Sequence, residues 1–166
     1  YADAVAMTDR TLAVSPDVPA AYLVRGTCYN ELKQYSAAID DANRYAERLG
    51  KDAAYYVIVG DALRGQGQDT EAISAYKNAL DDNPQETAAF LELVRLIPAE
   101  QTLTLATCYK GLGKVEEVFA TLVDELLSQD DSTTLRKLIV LQKSVRPGDE
   151  NIAEAERKLA KPKAEN

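Results

Sequence analysis

Residues 53–86 read AAYYVIVGDALRGQGQDTEAISAYKNALDDNPQE, and this stretch of 34 residues decides the fold. Its apolar residues recur three and four positions apart in two runs, a spacing that predicts two amphipathic helices. The segment Gly65-Gln66-Gly67 separates the runs. Because so short a connection forces neighbouring helices to lie antiparallel, the stretch predicts a helical hairpin.

The same pattern occurs 34 residues earlier in the chain. Sliding the sequence along itself by that distance matches residues of similar size: Tyr22 with Tyr56, Gly26 with Gly60, Ala38 with Ala72, and Ile39 with Ile73. A fixed period of this length indicates stacked helical units. Glycine inside a helix costs about 1 kcal/mol relative to alanine, so Gly26 and Gly60 predict places where two helices approach closely.

Residues 53–86 resemble one unit of the tetratricopeptide repeat (TPR) family. The resemblance is carried by Tyr56-x-x-Val59-Gly60-x-x-Leu63, then Ala72-x-x-x-Tyr76, Ala79 and Pro84, with tyrosine where the family often has tryptophan. Residues 19–52 are similar but depart from the pattern at Arg25, Tyr45 and Gly50. The resemblance implies an all-α fold, a right-handed α-solenoid of antiparallel helix hairpins.

We predict a single TPR-like helical domain over residues 1–166. Beyond residue 86 a step of 46 residues fits better than 34, which we interpret as a helical insertion of twelve residues with a helix break at Pro98. Two further helices, at 132–145 and 150–160, should cap the stack around the turn signal Pro147-Gly148. The predicted division is 1–18 (second half of a repeat), 19–52 and 53–86 (repeats), 87–98 (insertion), 99–132 (degenerate repeat), 133–161 (capping helices) and 162–166 (tail).

Composition argues against several classes of function. The formal charge of −8 and a pI near 4.6 disfavour binding to nucleic acid or anionic lipid. The chain has no histidine, which removes the commonest general base and zinc ligand, and no stretch is long and apolar enough to span a membrane. We therefore expect a soluble protein that is not an enzyme and needs no cofactor or metal. Its compartment stays open, cytoplasmic or exported after removal of an upstream signal peptide.

The candidate chemical residues each have a structural interpretation. The acidic pairs that begin at Asp40, Asp81 and Asp130 are expected to be solvated charges instead of metal ligands. Cys28 and Cys108 are expected to pack as small apolar residues, and most of the nine tyrosines as core aromatics. The Gly65-Gln66-Gly67 segment lacks the residues of a phosphate loop.

Arg25 stands at a position that is usually apolar. It predicts an ion pair with Asp9 or Asp3 on the preceding helix, or else an exposed anchor for an acidic ligand.

The TPR resemblance implies a concave groove that binds a peptide or protein segment. The groove positions of the family correspond to Ala20, Leu23, Thr27 and Asn30 in one unit and to Ala54, Val57, Asp61 and Arg64 in the next. Some TPR domains hold a C-terminal carboxylate with lysine and asparagine at such positions. Here Leu23, Thr27 and Ile58 stand in their place, so this mode is not expected.

The alternative function is self-assembly. Residues 1–14 resemble the second helix of a hairpin, so part of the stripe Val5, Met7 and Leu12 should lie bare. A homo-oligomer formed through this N-terminal end is then expected.

Overall fold

The structure is a computed structural model that describes residues 1–97 and 115–160, with the side chains of 115–118 left out. Within these ranges the regular structure is entirely α-helical, and two compact units form, Tyr1–Ala89 and Phe90–Asn166. The helices are α1 (Ala2–Val14), α2 (Pro19–Glu31), α3 (Tyr35–Leu49), α4 (Ala53–Gly65), α5 (Asp69–Asp82), α6 (Thr87–Leu96), α7 (Val115–Ser128), α8 (Ser132–Val145) and α9 (Glu150–Ala160).

The all-α prediction is confirmed, and most predicted helices agree within one residue with the observed ones. Helices α8 and α9 have the predicted bounds. The predicted insertion at 87–98 is occupied by α6, and Pro98 lies outside the described residues.

One backbone turn recurs between paired helices. The Gln34 amide donates to the Tyr29 carbonyl at 2.8 Å, and the Gln68 amide donates to the Leu63 carbonyl at 2.9 Å. The residue between, Lys33 or Gly67, has a left-handed φ of 58° or 76°. This geometry ends a helix by pairing its last carbonyls with the following amides, and it folds α3 back on α2 and α5 back on α4.

The same turn joins α7 to α8. The Asp131 amide donates to the Leu126 carbonyl at 2.9 Å, and Asp130 has a φ of 58°. By this geometry α7 and α8 form a hairpin of their own, whereas the sequence placed α7 at the end of a degenerate repeat and α8 among the capping helices. The repeat boundaries beyond residue 86 stay a prediction, and the turn favours a different grouping for these two helices.

Glycine stands at two helix contacts in the first unit. Tyr76 of α5 is fully buried, and a Cβ atom added at Gly60 would lie 2.7 Å from its ring. A Cβ at Gly26 would lie 3.4 Å from the Ala38 carbonyl oxygen and from Ile58, which is an ordinary contact. The predicted close approach of helices at both glycines is confirmed, and it is much tighter at Gly60.

Arg25 joins three helices through an ion-pair network. Its Nε and Nη2 donate to the two carboxylate oxygens of Asp41 on α3, each at 2.7 Å, and its Nη1 donates to Asp9 on α1 at 2.5 Å. The guanidinium also lies near the rings of Tyr22 and Tyr29, with centroids at 5.7 and 5.8 Å. Hydrogen bonds to Asp41 and Asp9 raise the pKa of Arg25 above the usual value of an arginine. The predicted pair with Asp9 is confirmed, and the Arg25 side chain, 17% exposed, is not a free anchor.

The interpretation of the acidic pairs as solvated charge is wrong in part. Asp41 is buried because it holds Arg25. Asp82 accepts the Ala53 amide at 2.8 Å, and Asp131 caps α8 by accepting the Thr134 amide at 3.0 Å. These carboxylates therefore satisfy buried or terminal donors, which the sequence alone did not reveal.

A phenol and a carboxylate meet where α3 joins α4. Asp52 caps α4 by accepting the Tyr55 amide at 3.0 Å, and its other oxygen accepts the hydroxyl of Tyr45. This hydrogen bond and burial raise the pKa of Tyr45 to about 12. The phenol thus stays protonated at neutral pH and donates across the junction. Tyr45 stands where the TPR pattern has alanine. Its larger side chain is accommodated because the hydroxyl bonds to Asp52, the residue that caps α4.

In the second unit, Lys137 terminates α6. Its ammonium donates to the carbonyls of Val94, Arg95 and Ile97 at 3.2, 3.1 and 3.0 Å. The last carbonyls of a helix lack amide partners within the helix, so the ammonium adds donors to these three and complements the helix dipole. The Lys137 ammonium therefore has a structural role within the second unit.

The described cysteine and two of the tyrosines are buried in the first unit, as the sequence predicted. Cys28 is buried and unpaired, and Tyr22 and Tyr76 lie in the core of the first unit. Cys108 and Tyr109 lie outside the described residues.

Candidate functional site

Helices α2 and α4 lie side by side in the first unit. They contact each other directly, and α3 packs against both. The Asn30 side-chain amide donates to the Ile58 carbonyl at 2.9 Å, which ties the end of α2 to the middle of α4. Asn30 thus serves the fold, and the other groove residues predicted from the sequence are carried by two helices in direct contact.

The outward surface of α2 carries small and apolar residues. Ala20 and Thr27, both predicted, are exposed, whereas Leu23 and Asn30 are half-buried. Val24, which the sequence analysis did not select, is 50% exposed. Since residues i, i+4 and i+7 share one helix face, Ala20, Val24 and Thr27 form a single stripe. Val24 is not one of the groove positions of the TPR family. Its spacing of four residues from Ala20 would nevertheless have predicted that the two share a helix face.

The adjoining surface of α4 is less accessible. Ala54, Val57 and Asp61 are half-buried, and Arg64 is exposed. Asp61 accepts the hydroxyl of the buried Tyr76 at 2.6 Å. Asp61 therefore has a structural role that limits its use as a ligand for a partner. We call the stripe on α2 together with Ala54, Val57, Asp61 and Arg64 the α2–α4 face.

The α2–α4 face combines apolar groups with a few polar ones. It offers methyl groups, one threonine hydroxyl, one carboxylate and one guanidinium. In the described part of the chain, no group of three or more potential metal ligands lies together. No helix among the described residues is long and apolar enough to cross a membrane.

Comparison with curated proteins gives a partial match. The chain is similar to the "small glutamine-rich tetratricopeptide repeat-containing protein 2" of Mycosarcoma maydis, at 26% identity over 84 residues. The match covers 51% of this chain and 24% of that protein, so the chain matches only about a quarter of its relative.

Solved structures of low sequence identity share the fold. A thermophilic TPR protein of Thermus thermophilus matches with a TM-score of 0.57 at 17% identity, over 93% of this chain and 88% of that one. The C-terminal part of a TPR protein from Cytophaga hutchinsonii matches with a TM-score of 0.55 at 18% identity, over 96% and 72%. YrrB, described as a TPR protein with an unusual peptide-binding site, matches with a TM-score of 0.51 at 14% identity, over 92% and 81%.

Sequence profiles identify the family directly. Two profiles described as tetratricopeptide repeat match residues 1–55 and 53–86. The fold suggests a protein–protein interaction scaffold, and proteins built on it are generally non-catalytic. With the matches together spanning residues 1–86, more than half of its 166 residues, the chain belongs to the tetratricopeptide repeat family.

Proposed function

We propose that the chain is a non-catalytic scaffold that binds a peptide or protein segment on the α2–α4 face. The observation that carries this proposal is the exposed stripe Ala20, Val24 and Thr27 on α2, a helix that contacts α4. Small residues let a peptide backbone approach closely, and a half-exposed valine gives it an apolar contact. The peptide-binding site named for YrrB, a structural neighbour, supports peptide as the ligand class.

The residues of the face limit the chemistry of the partner. Leu23 and Ile58 stand where some TPR domains place lysine and asparagine, and Ile58 is buried. A C-terminal carboxylate would find no cation there. The partner we propose is an internal segment, extended or helical, with small apolar anchors that lie against Val24 and Val57. The Thr27 hydroxyl, which donates to the Leu23 carbonyl, can still accept a hydrogen bond from the segment, and the exposed Arg64 places a positive charge at the edge of the face.

Charge placed on the α2–α4 face should weaken partner binding. With a peptide selected from a random library against the wild-type chain, Val24→Asp should raise Kd by about tenfold or more, because a carboxylate would replace an apolar contact. Arg64→Glu tests the polar edge in the same way. Kd is measured by fluorescence anisotropy, and circular dichroism verifies that each variant keeps its helicity.

The chain offers matched controls outside the face. Leu49→Asp alters an apolar residue at the end of α3 that is 63% exposed, and Arg44→Glu reverses the charge of an exposed arginine on the same helix. Both should leave Kd within about twofold. If these controls weaken binding as much as Val24→Asp does, the binding surface lies elsewhere.

A second candidate function is self-association through α1. None of its residues is fully buried, and Met7 and Val14, seven residues apart on one face, are 67% and 85% exposed. Val5 and Leu12 are half-buried. The apolar side chain that lies bare is thus Met7 instead of Val5. A second copy of the chain could cover Met7 and Val14 in a symmetric contact.

Sedimentation velocity over a wide concentration range tests this second candidate. The wild-type chain should show a concentration-dependent dimer that Met7→Glu with Val14→Glu abolishes, since burying two carboxylates from each copy in a symmetric contact is strongly unfavourable. Leu49→Glu is the control, and it should leave dimerisation unchanged. A chain that stays monomeric at all concentrations contradicts the proposal.

A further inference from the structure

The second unit contains a helix whose charge is opposite to that of the whole protein. Helix α8 carries Arg136, Lys137 and Lys143 and no acidic residue, in a chain of net charge −8. The Lys137 ammonium is hydrogen-bonded to three carbonyls at the end of α6. Arg136 and Lys143 lie on the outward side of α8, with the exposed Val140 between them. Their positions relative to Val140, four residues before and three after, put all three on one helix face.

This face of α8 borders a groove with an apolar floor. One cavity of about 420 Å³ lies between α8 and α9 and is lined by Ile139, Val140 and Leu159. A second cavity of about 560 Å³ is lined by Leu126, Leu127 and again Leu159. Arg136 and Leu159 line both cavities, so the two adjoin, and we call them together the α8–α9 groove. Volumes of this size accommodate several side chains of a bound segment.

The cations around the α8–α9 groove differ in how they are neutralised. Lys143 pairs with Glu156 across the groove at 2.6 Å. Lys158 pairs with Asp124 at 2.9 Å. None of the described carboxylates pairs with Arg136, although acidic residues outnumber basic ones in the chain as a whole by 27 to 19. Beside its apolar residues the groove is lined by Asp130, Ser132, Lys143, Glu156 and Lys158, so its cations outnumber its carboxylates by three to two when Arg136 is included. The exposed Arg136 guanidinium offers a forked donor for a carboxylate.

We propose that the α8–α9 groove binds an acidic amphipathic segment of a partner protein. A carboxylate of that segment receives two hydrogen bonds from Arg136, and its apolar side chains cover Val140 and Leu159. Charge complementarity selects the partner, because Arg136, which has no paired carboxylate among the described residues, attracts carboxylates and repels basic segments. This site lies within the second unit and is additional to the α2–α4 face of the first. The net charge of −8 disfavours a nucleic acid or anionic membrane as the occupant.

The proposal is tested with a synthetic amphipathic helical peptide that carries leucine at every third and fourth position and glutamate between. Isothermal titration calorimetry with the full chain should show saturable binding below about 1 mM, the weak limit of specific recognition. A matched peptide with lysine in place of glutamate should bind at least about tenfold more weakly. Arg136→Glu should weaken binding of the acidic peptide by about tenfold and reverse the preference between the two peptides.

Controls separate this site from the first one. Arg44→Glu reverses an exposed arginine of the first unit, and Val24→Asp alters the α2–α4 face, so both should leave the affinity for the acidic peptide unchanged. Val140→Asp should weaken it. The proposal is overturned if the acidic peptide does not bind, if both peptides bind equally, or if Arg136→Glu has no effect. Binding of phosphatidylserine vesicles in preference to the acidic peptide would also overturn it.

Discussion

The Gly60→Leu variant is expected to lose about 3 kcal/mol of unfolding free energy. A Cβ at this position would lie 2.7 Å from the ring of Tyr76, a distance that side chains do not tolerate. Tyr76 cannot move aside, because it is fully buried and its hydroxyl donates to Asp61. The two helices α4 and α5 must therefore separate, and overpacking of this kind costs about 1–3 kcal/mol, or more when a larger side chain is added. Urea denaturation followed by circular dichroism measures the change.

Gly26→Ala is the matched control for this prediction. Its added methyl group would meet neighbours at 3.4 Å, and alanine gains up to about 1 kcal/mol over glycine inside a helix. The variant should unfold at the same or a slightly higher urea concentration than wild type. An unfolding curve for Gly60→Leu that coincides with that of Gly26→Ala would contradict the packing argument.

Asp41→Ala is expected to destabilise the first unit by about 3–5 kcal/mol. The Asp41 side chain is only 4% exposed and accepts two hydrogen bonds from Arg25. Removing it leaves a largely buried guanidinium with a single carboxylate, Asp9, and the loss of one member of a buried pair has this magnitude. Thermal unfolding monitored by circular dichroism should show a markedly lower midpoint.

Asp9→Ala provides the comparison for the same network. Its carboxylate is 52% exposed, so the pair with Arg25 should contribute less than about 1 kcal/mol. The double variant Arg25→Met with Asp41→Leu removes both buried charges, and it should be more stable than Asp41→Ala alone. Equal destabilisation by Asp9→Ala and Asp41→Ala would show that burial of Asp41 does not govern the network.

Local features of the chain could be predicted because they depend on neighbours in sequence. Apolar spacing and the Pro-Gly turn signal place α8 and α9 at their observed bounds. The two helical glycines predict close contacts because glycine has no other advantage inside a helix. The repeat pattern predicts that Tyr76 is buried, and its contact with Gly60 is seen only in the structure.

Features that depend on the three-dimensional arrangement were not predictable in the same way. Asp41 lies next to the exposed Asp40, and nothing in a pair of aspartates indicates which one turns inward. Asn30 and Asp61 were selected as ligands for a partner, but they bond to the backbone of Ile58 and to the hydroxyl of Tyr76. The pairing of α7 with α8 became apparent only from the backbone turn at Asp130.

The central claim is that the α2–α4 face binds a peptide segment, and chemical-shift mapping tests it most directly. Titrating the library-selected peptide into the isotopically labelled chain should shift the backbone amides of Ala20, Val24, Thr27, Ala54 and Val57 in a saturable manner. The amides of Arg44 and Leu49 on α3 should stay in place. Shifts concentrated on α3 and α5, with those of Val24 and Val57 unchanged, would contradict the assignment of this face as the binding site.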